Sequence, residues 1–518
     1  MKHHTLRESI MLRRFVIAMS SLVLIPSGSL ASTPPAFLPA AYVDTGVAIT
    51  ESAVVADVDR DGNPDLIVAI QNHSIGTDRH GLAAVLLGNG DGTFRDAVTY
   101  DSAGGGPFAL AVADVNGDAA PDIVIDNWCG LAGPACGPGT AGVLLNHGDG
   151  TFADAVPWDL GVISQSIAIA DVNGDGKPDL VAAGSLGGVS VLLGNGDGTF
   201  QRPIIAGVGT IEVRSVAVAD MNRDGRLDVV ATGADSSVSP TRGAVAILPG
   251  NGNGTFQPPQ ATYDSGVTAG GWSNAVAVAD LNGDGALDVA VANYPDRRAG
   301  VLLGTGDGGL EPVVLYDSGG PFAYAVALAD VNGDSTLDLI VGNLRESVGV
   351  LVGNGDGTFA TPQAFPVVAA ASVAAADLNH DGRPDLAAAV TTTTVAVLLN
   401  DTCADAAPMV TLSAAPAVLW PPNGKTIPVT LSGTLTVAPC AATVTSLGYA
   451  VVDEYGLVQP AGPIVPDADG AFSVSVPLQA SRRGDDRDGR QYTIRVTATN
   501  SNGGIATATS VVTVPHSH

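Results

Sequence analysis

Basic residues are scarce in this chain: 23 Lys and Arg stand against 52 Asp and Glu, a formal charge of -29 over 518 residues. That excludes nucleic acid or an anionic membrane as the partner, because nothing here could replace phosphate counterions. Histidine is sparse as well. Beyond the N-terminal segment only His73, His80, His147, His380, His516 and His518 occur, and no two stand at metal-ligand spacing except the terminal pair. No His-Glu-x-x-His, Gly-x-Ser-x-Gly, P-loop or Rossmann pattern is present, so no catalytic class has a sequence motif in its favour. Past the N-terminus no apolar run is long enough to span a bilayer as a helix, and the hydrophobic pattern has no helical period. The four cysteines, Cys129, Cys136, Cys403 and Cys440, suit an oxidising compartment. Pairing Cys129 with Cys136 would staple one loop and Cys403 with Cys440 would tie a linker to the C-terminal domain, among three possible connectivities.

An apolar content of 46% excludes wholesale disorder. At the N-terminus Arg13 and Arg14, the apolar run Phe15 to Ile25 and the small-x-small triplet Ser29-Leu30-Ala31 form an export signal cleaved after Ala31, with Met11 as its natural start. The flanking residues fit the general secretory route better than the twin-arginine one. The expected location is therefore extracellular or on the cell surface, with the periplasm as the alternative.

What the chain has in abundance is one acidic nine-residue loop, seven times over, starting at Asp57, Asp114, Asp171, Asp220, Asp280, Asp330 and Asp377. Twenty-two of the 52 acidic residues are Asp at loop positions one, three, five and nine. Oxygen side chains at alternate positions of a tight loop, with a carboxylate after the turn, can converge on one hard cation, as Ca²⁺ requires. The first loop offers Asp57, Asp59, Asp61 and Asp65, with the backbone carbonyl of Asn63. The others offer Asp114, Asn116, Asp118 and Asp122; Asp171, Asn173, Asp175 and Asp179; Asp220, Asn222, Asp224 and Asp228; Asp280, Asn282, Asp284 and Asp288; Asp330, Asn332, Asp334 and Asp338; and Asp377, Asn379, Asp381 and Asp385. Up to seven Ca²⁺ sites are expected. Ala119 and Ser335 replace the glycine that eases the turn, so the second and sixth sites should be weakest.

An EF-hand loop opens with the same pattern but needs Glu at its twelfth position. Here that position holds Val68, Ile125, Ala182, Ala231, Val291, Val341 and Ala388, so each loop leads into a buried strand. A metal-free Asp-rich turn is the plainer alternative, but three or four convergent carboxylates without a cation would repel one another. Six of the repeats also carry a Gly-Asn-Gly-Asp-Gly segment or a close variant of it, such as Gly88 to Gly92. The calcium nonapeptides of β-rolls occur in tandem, whereas this segment occurs at most once per repeat, so it reads as a turn.

Around every loop come a Val/Ala alternation, a short apolar run, a further strand-like segment, the glycine turn and a segment beginning Thr-Phe. Period-two patterning between turn signals gives four short antiparallel strands per unit. Successive loops start 57, 57, 49, 60, 50 and 47 residues apart, near the range for propeller blades. The last repeat stops at Asn400 after three strands, and Phe37 to Gly46 matches the missing fourth. The two ends should therefore complete one sheet together.

These repeats resemble the FG-GAP/VCBS repeats of integrin α-chain propellers and of many bacterial secreted proteins, over residues 37–400. The resemblance implies an all-β fold, a seven-bladed β-propeller with Ca²⁺-binding hairpin loops, and recognition on the face opposite those loops. On that face the connections vary in length: Gln71 to Gly81, Asp126 to Gly142, Thr232 to Gly243, Tyr294 to Ala299 and Tyr263 to Asn274. Variable loops on a rigid frame are where binding usually sits, which makes Trp128, Trp158, Trp272, Tyr294, Arg297, Arg298 and His80 the candidate ligand-binding residues.

The expected domains are a signal peptide (1–31), the propeller (37–402), a linker (403–407) and a small β-sandwich (408–518). The last contains six strand-like runs, and Leu419 to Lys425 with Tyr492 to Thr499 is similar to immunoglobulin-like modules of bacterial exported proteins. Arg483-Gly484-Asp485 spells a tripeptide that integrins bind, but the charged segment Arg482 to Arg490 reads as a solvated turn. The expected function is that of a secreted, monomeric, non-catalytic recognition or adhesion protein for an extracellular protein or glycan. The alternative is an extracellular polysaccharide-active hydrolase or lyase.

Overall fold

The computed structural model describes residues 34–46, 49–71, 80–130, 137–184, 188–267, 270–402, 408–436, 444–454, 458–467, 470–481, 490–500 and 505–515. The export signal, the 403–407 linker, Cys136, Cys403, Cys440 and the Arg-Gly-Asp turn lie outside the described residues. Cys129 is disulfide-bonded. Among the described residues no helix is long and apolar enough to cross a membrane.

Seven antiparallel four-stranded sheets succeed one another along the chain. The first comprises Ile49–Ala56, Asp65–Gln71, Leu82–Leu86 and Val98–Asp101. In the seventh, Ala370–Ala376, Asp385–Val390 and Thr394–Leu398 take their fourth strand, Ala41–Asp44, from the N-terminal side. Phe37 bridges to Asn400, the Leu38 amide donates to the Leu399 carbonyl and the Asp401 amide to the Ala36 carbonyl. Each first strand touches the first strand of the next sheet, and that of the seventh, Ala370–Ala376, touches Ile49–Ala56 of the first. The phase of the repeats predicts this closure.

No sheet carries a core of its own. The second strands are buried along most of their length, and Asp65–Gln71 and Asp385–Val390 wholly, because each sheet is covered on both faces. The buried side chains fall into seven clusters, each shared by two consecutive sheets; Leu66, Val68 and Ile70 of the first sheet, for example, pack with Ala387, Val395 and Val397 of the seventh. Crowding between sheets explains the dominance of Val and Ala. The aromatic of the Thr-Phe segment reaches across the seam and meets an outer-strand ring edge to face, giving Tyr100 with Phe152, Trp158 with Phe200, Tyr316 with Phe359 and Phe365 with Phe37, at 4.9–5.8 Å. Each such pair contributes about 0.5–1.5 kcal/mol beyond its buried area.

The glycine turns are more than reversals. Gly92, Gly198, Gly254 and Gly357 donate their amides to the carbonyls of Leu378, Val115, Val172 and Leu281, the second loop residue of the preceding sheet. The Asn146 and Asn400 side-chain amides do the same for Val58 and Val331. Gly254 has φ +79° and a Cβ there would lie 2.5 Å from Leu193, so this turn requires glycine both for its backbone and for the close approach.

After the ring, Met409–Val410, Ser413–Ala415, Thr426–Thr436 and Ala471–Gln479 form one sheet, and Val444–Asp453, Val458–Pro463, Arg490–Asn500 and Ile505–Val514 another. Leu431, Val476 and Leu478 of the first share a cluster with Val451, Ile494 and Val512 of the second. Val458–Pro463 pairs as an edge strand despite Pro460, Gly462 and Pro463, because a missing amide is tolerated there. One expectation needs correction. Arg490 is not solvated; it is buried, ion-paired with Asp453 and 4.6 Å over the Tyr492 ring.

The connection expected from Asp126 also differs, because the strand Asp122–Cys129 runs through it. Asp126 is fully buried at a place where the other repeats have Ala69, Ala183, Thr232, Ala292, Gly342 and Ala389. Neither carboxyl oxygen has a hydrogen-bond partner among the described residues. Burial pushes its pKa up to about 8; the nearby Ser164 hydroxyl opposes this but donates instead to the Ser166 carbonyl. An acid with a raised folded pKa releases its proton earlier in the unfolded chain, so it withdraws stability as pH climbs from about 4 to about 8. Asp126→Asn should therefore raise the melting temperature at pH 8, by about 2–4 kcal/mol in stability, with the advantage vanishing towards pH 4; thermal melts across that range check it.

Candidate functional site

Each acidic loop is folded by its own carboxylates. The position-one Asp accepts the amide of position six in all seven loops, from Asp57 with Gly62 to Asp377 with Gly382. Position three accepts the amide of position five, as Asp59 does from Asp61 and Asn173 from Asp175. The ninth-position Asp is buried and accepts two amides: Asp65 takes those of Val58 and Gly88, and Asp385 those of Leu378 and Asn400. It thereby ties the hairpin to the glycine turn of its own sheet. Burial raises the pKa of Asp65, Asp122, Asp338 and Asp385 to about 6, against the pull of these amides.

Asp57, Asp59 and Asp61 each offer an oxygen within 4.8 Å of the others. In the other loops position three is Asn, which leaves Asp at positions one, five and nine with an amide oxygen between. The donor set is all oxygen, as a hard divalent cation would need, although Asp114 Oδ1, Asp171 Oδ1 and Asp330 Oδ1 each already accept two backbone amides. Guanidinium groups also lie against some of these acids: Arg95 is 3.7 Å from Asp61, and Arg226 and Arg383 pair with Asp224 and Asp381.

Loop position four carries no signal in the sequence pattern, yet it lies in the left-handed region in every loop, at Gly in four and at Arg60, Arg223 and His380 in the rest. Those three reach the next loop around the ring: Arg60 lies 4.0 Å from Asp118, Arg223 3.8 Å from Asp284, and His380 Nε2 2.9 Å from Asn63 Oδ1. At position six Ala119 and Ser335 keep the backbone of the glycine loops, with φ +68° and +70°.

At the other end of the sheets lies a feature that sequence reasoning missed. Every first strand carries a β-bulge, where its register against the second strand shifts. One residue at each bulge stands six positions before the first loop Asp of its repeat: Glu51, Phe108, Gln165, Arg214, Asn274, Tyr324 and Ala371. All seven line one cavity of about 180 Å³. At about 3.3 Å per residue this cup sits ~20 Å along the strands from the acidic loops. Bulges commonly re-aim a side chain in this way. The signal was legible as a fixed offset, but a lone polar residue inside a Val/Ala alternation looks like noise.

Arg214 in the cup is engaged through its two terminal nitrogens and its guanidinium face, while its buried Nε–H has no partner among the described residues. It donates to Gln165 Oε1 at 3.0 Å and Glu212 Oε1 at 3.1 Å, and its guanidinium lies 4.9 Å over Trp272. Trp272 begins a ladder of tilted rings through Tyr294 and Phe322, at 4.9 and 5.7 Å, ending under Arg345. Trp272 also donates to Asn274 Oδ1 at 3.3 Å. Tyr324 is raised by burial and by the Glu51 charge, and Glu51 itself is pushed up to about 7 by burial. Glu51 makes no hydrogen bond or ion pair among the described residues.

Of the aromatic and basic candidates, Trp272 and Tyr294 stand beside the cup, and Trp128 joins it through Phe108 at 5.7 Å. Arg297 and Arg298 are exposed where Asp288–Tyr294 turns into Arg298–Leu302. His80 Nδ1 is 2.9 Å from Asp101 Oδ2 on an outermost strand. Trp158 is a correction: it fills the seam position that Tyr100, Tyr316 and Phe365 fill in other repeats, so its role is packing between sheets.

Four-stranded sheets in a closed order, each buried by its neighbours, make this a β-propeller. The chain belongs to the FG-GAP-like repeat family, whose pattern matches residues 57–125, 131–182, 171–231, 234–291, 280–341 and 330–388. No curated protein matches it in sequence. Among solved structures it is similar to an Agrocybe aegerita lectin that recognises non-reducing terminal N-acetylglucosamine, at 18% identity over 83% of this chain and 100% of that one, with a TM-score of 0.40. A periplasmic gluconolactonase of Pseudomonas aeruginosa is 16% identical over 60% and 84% of the two chains, with a TM-score of 0.43. The Neurospora crassa Pan2 WD40 domain is 10% identical over 68% and 89%, also at 0.43.

Non-glycine residues at a positive φ carry strain of about 1 kcal/mol. Ala119→Gly and Ser335→Gly should each stabilise the protein by about that amount, read as a rise in melting temperature, while Gly176→Ala in a regular loop should lower it.

Proposed function

We propose that this protein is a secreted, monomeric recognition or adhesion module: a seven-bladed FG-GAP propeller stabilised by calcium, with an immunoglobulin-like β-sandwich after it. Residues 1–31 act as its export signal. The observation that carries the reading is the division of labour along each inner strand. One end holds seven near-identical acidic hairpins, and the other holds seven different side chains around one cup.

Calcium would be held by positions one, three, five and nine of each hairpin, from Asp57, Asp59, Asp61 and Asp65 onward, with the seventh-position carbonyl, as at Asn63. The ion supplies the charge that lets these carboxylates stay ionised side by side, and it acts as a folding ligand. Free Ca²⁺ at a hundred times Kd adds about 2.7 kcal/mol per site. Where position six is Ala119 or Ser335 the loop binds least tightly.

The opposite end then presents the ligand-facing surface, with Trp128, Trp272, Tyr294, Arg297 and Arg298 around the cup and an extracellular protein or glycan as the partner. The hydrolase reading is the weaker one. Glycoside hydrolysis uses two carboxyl groups flanking the bond, and Glu51 is the one acid among the residues lining the cup.

A glycan and protein array probed with the mature chain in calcium and in EDTA tests this, with each retained ligand assayed for turnover. The expected result is retention that requires calcium and leaves the ligand intact. Cleavage of a retained polysaccharide, or retention indifferent to EDTA, would contradict the reading.

A further inference from the structure

The axial cup has an unbalanced charge. Its guanidinium, Arg214, is already bonded to Gln165 and Glu212 and stacked on Trp272, whereas the Glu51 carboxylate has no partner among the described residues. In the cyclic order of sheets, Glu51 lies between Phe108 on one side and Ala371 on the other, with Tyr324 beyond Ala371. The ring of bulge residues therefore places one free carboxylate between two aromatic side chains and leaves space at the alanine.

We propose that this cup binds the protonated primary amine of a small ligand or of a side chain, with Glu51 as its counter-ion and Phe108 and Tyr324 as its aromatic walls. An ammonium satisfies both features at once: it donates to the carboxylate and is attracted to ring faces within about 6 Å. A divalent metal fits poorly, since Ca²⁺ takes 6–8 oxygen ligands and the cup offers one carboxylate. An anion would meet an unpaired negative charge. Burial of Glu51, which raises its pKa to about 7, shows that water solvates this carboxylate badly and that a partner would restore what the fold withholds. The volume of about 180 Å³ corresponds to roughly six waters at ~30 Å³ each, enough for an alkylammonium stem or a single amino-sugar ring. The inference deepens the recognition reading by naming where the ligand enters and what charge it bears. It rests on that reading only for the end of the propeller used.

Isothermal titration calorimetry of the calcium-loaded full chain at about pH 8, above the raised value of Glu51, with n-butylammonium, n-butanol and butyrate decides the matter. Butylammonium should bind at one site, at least tenfold tighter than either matched probe. Glu51→Gln should lower that affinity at least tenfold without lowering the melting temperature, and Ala371→Leu should block the cup by filling it. An Nα-acetyl-lysine amide and glucosamine, run as separate arms, distinguish a side-chain source from a sugar source, and binding of either supports the cup. Equal binding of butanol, an unaffected Glu51→Gln variant, or no saturable binding of any amine would overturn it. Array retention with silent amines leaves the recognition reading standing and the cup refuted; amine binding without calcium-dependent retention does the reverse.

Discussion

Everything in this ring depends on one sheet covering the next. A four-stranded sheet of short Val- and Ala-rich strands has two apolar faces and nothing of its own to bury them. The seven shared clusters solve that only if the last sheet finds the first, which the pairing of Ala41–Asp44 with Thr394–Leu398 allows. Exposed sheet edges are thereby confined to the outer strands, which limits edge-to-edge association. Closure also makes the seams interdependent, since a sheet that leaves exposes two clusters at once.

The acidic hairpins reinforce those seams from one end. Each ninth-position Asp joins its hairpin to the glycine turn of the same sheet, and that turn donates to the hairpin of the sheet before it. Such turn-to-hairpin bonds cross six of the seven seams among the described residues; Arg223, reaching Asp284, spans the seam between the fourth and fifth sheets, and Arg60 and His380 add links at two others. An ion that neutralises a hairpin would therefore stiffen more than its own loop. At the far end the bulges turn one residue per sheet inward, and that residue differs from sheet to sheet; Arg214 and Asn274 bond across to Gln165 and to the Tyr324 carbonyl of neighbouring sheets.

Much of this was legible in the sequence, because repetition turns weak local signals into strong ones. The seven loops, the four strands per repeat and the split seventh sheet all come from spacing and period. What escaped was set by neighbours distant in the chain. Glu51, Arg214 and Tyr324 look like interruptions of an apolar strand until the ring brings them to one axis. Trp158 looked like a binding residue because its partner, Phe200, belongs to the next sheet. Arg490 read as solvated because Asp453 lies 37 residues away. Arg60 and His380 gave no hint of a left-handed backbone, since nothing in their identity asks for one.

The central claim is that divalent ions at the acidic hairpins hold seven mutually dependent sheets as one unit. Calorimetric unfolding of the mature chain, with calcium and after exhaustive chelation, tests it most directly. The account predicts one cooperative transition for the ring that moves to markedly lower temperature when the ion is removed and returns when calcium, but not sodium, is restored. A ring transition at the same temperature in both conditions would contradict it.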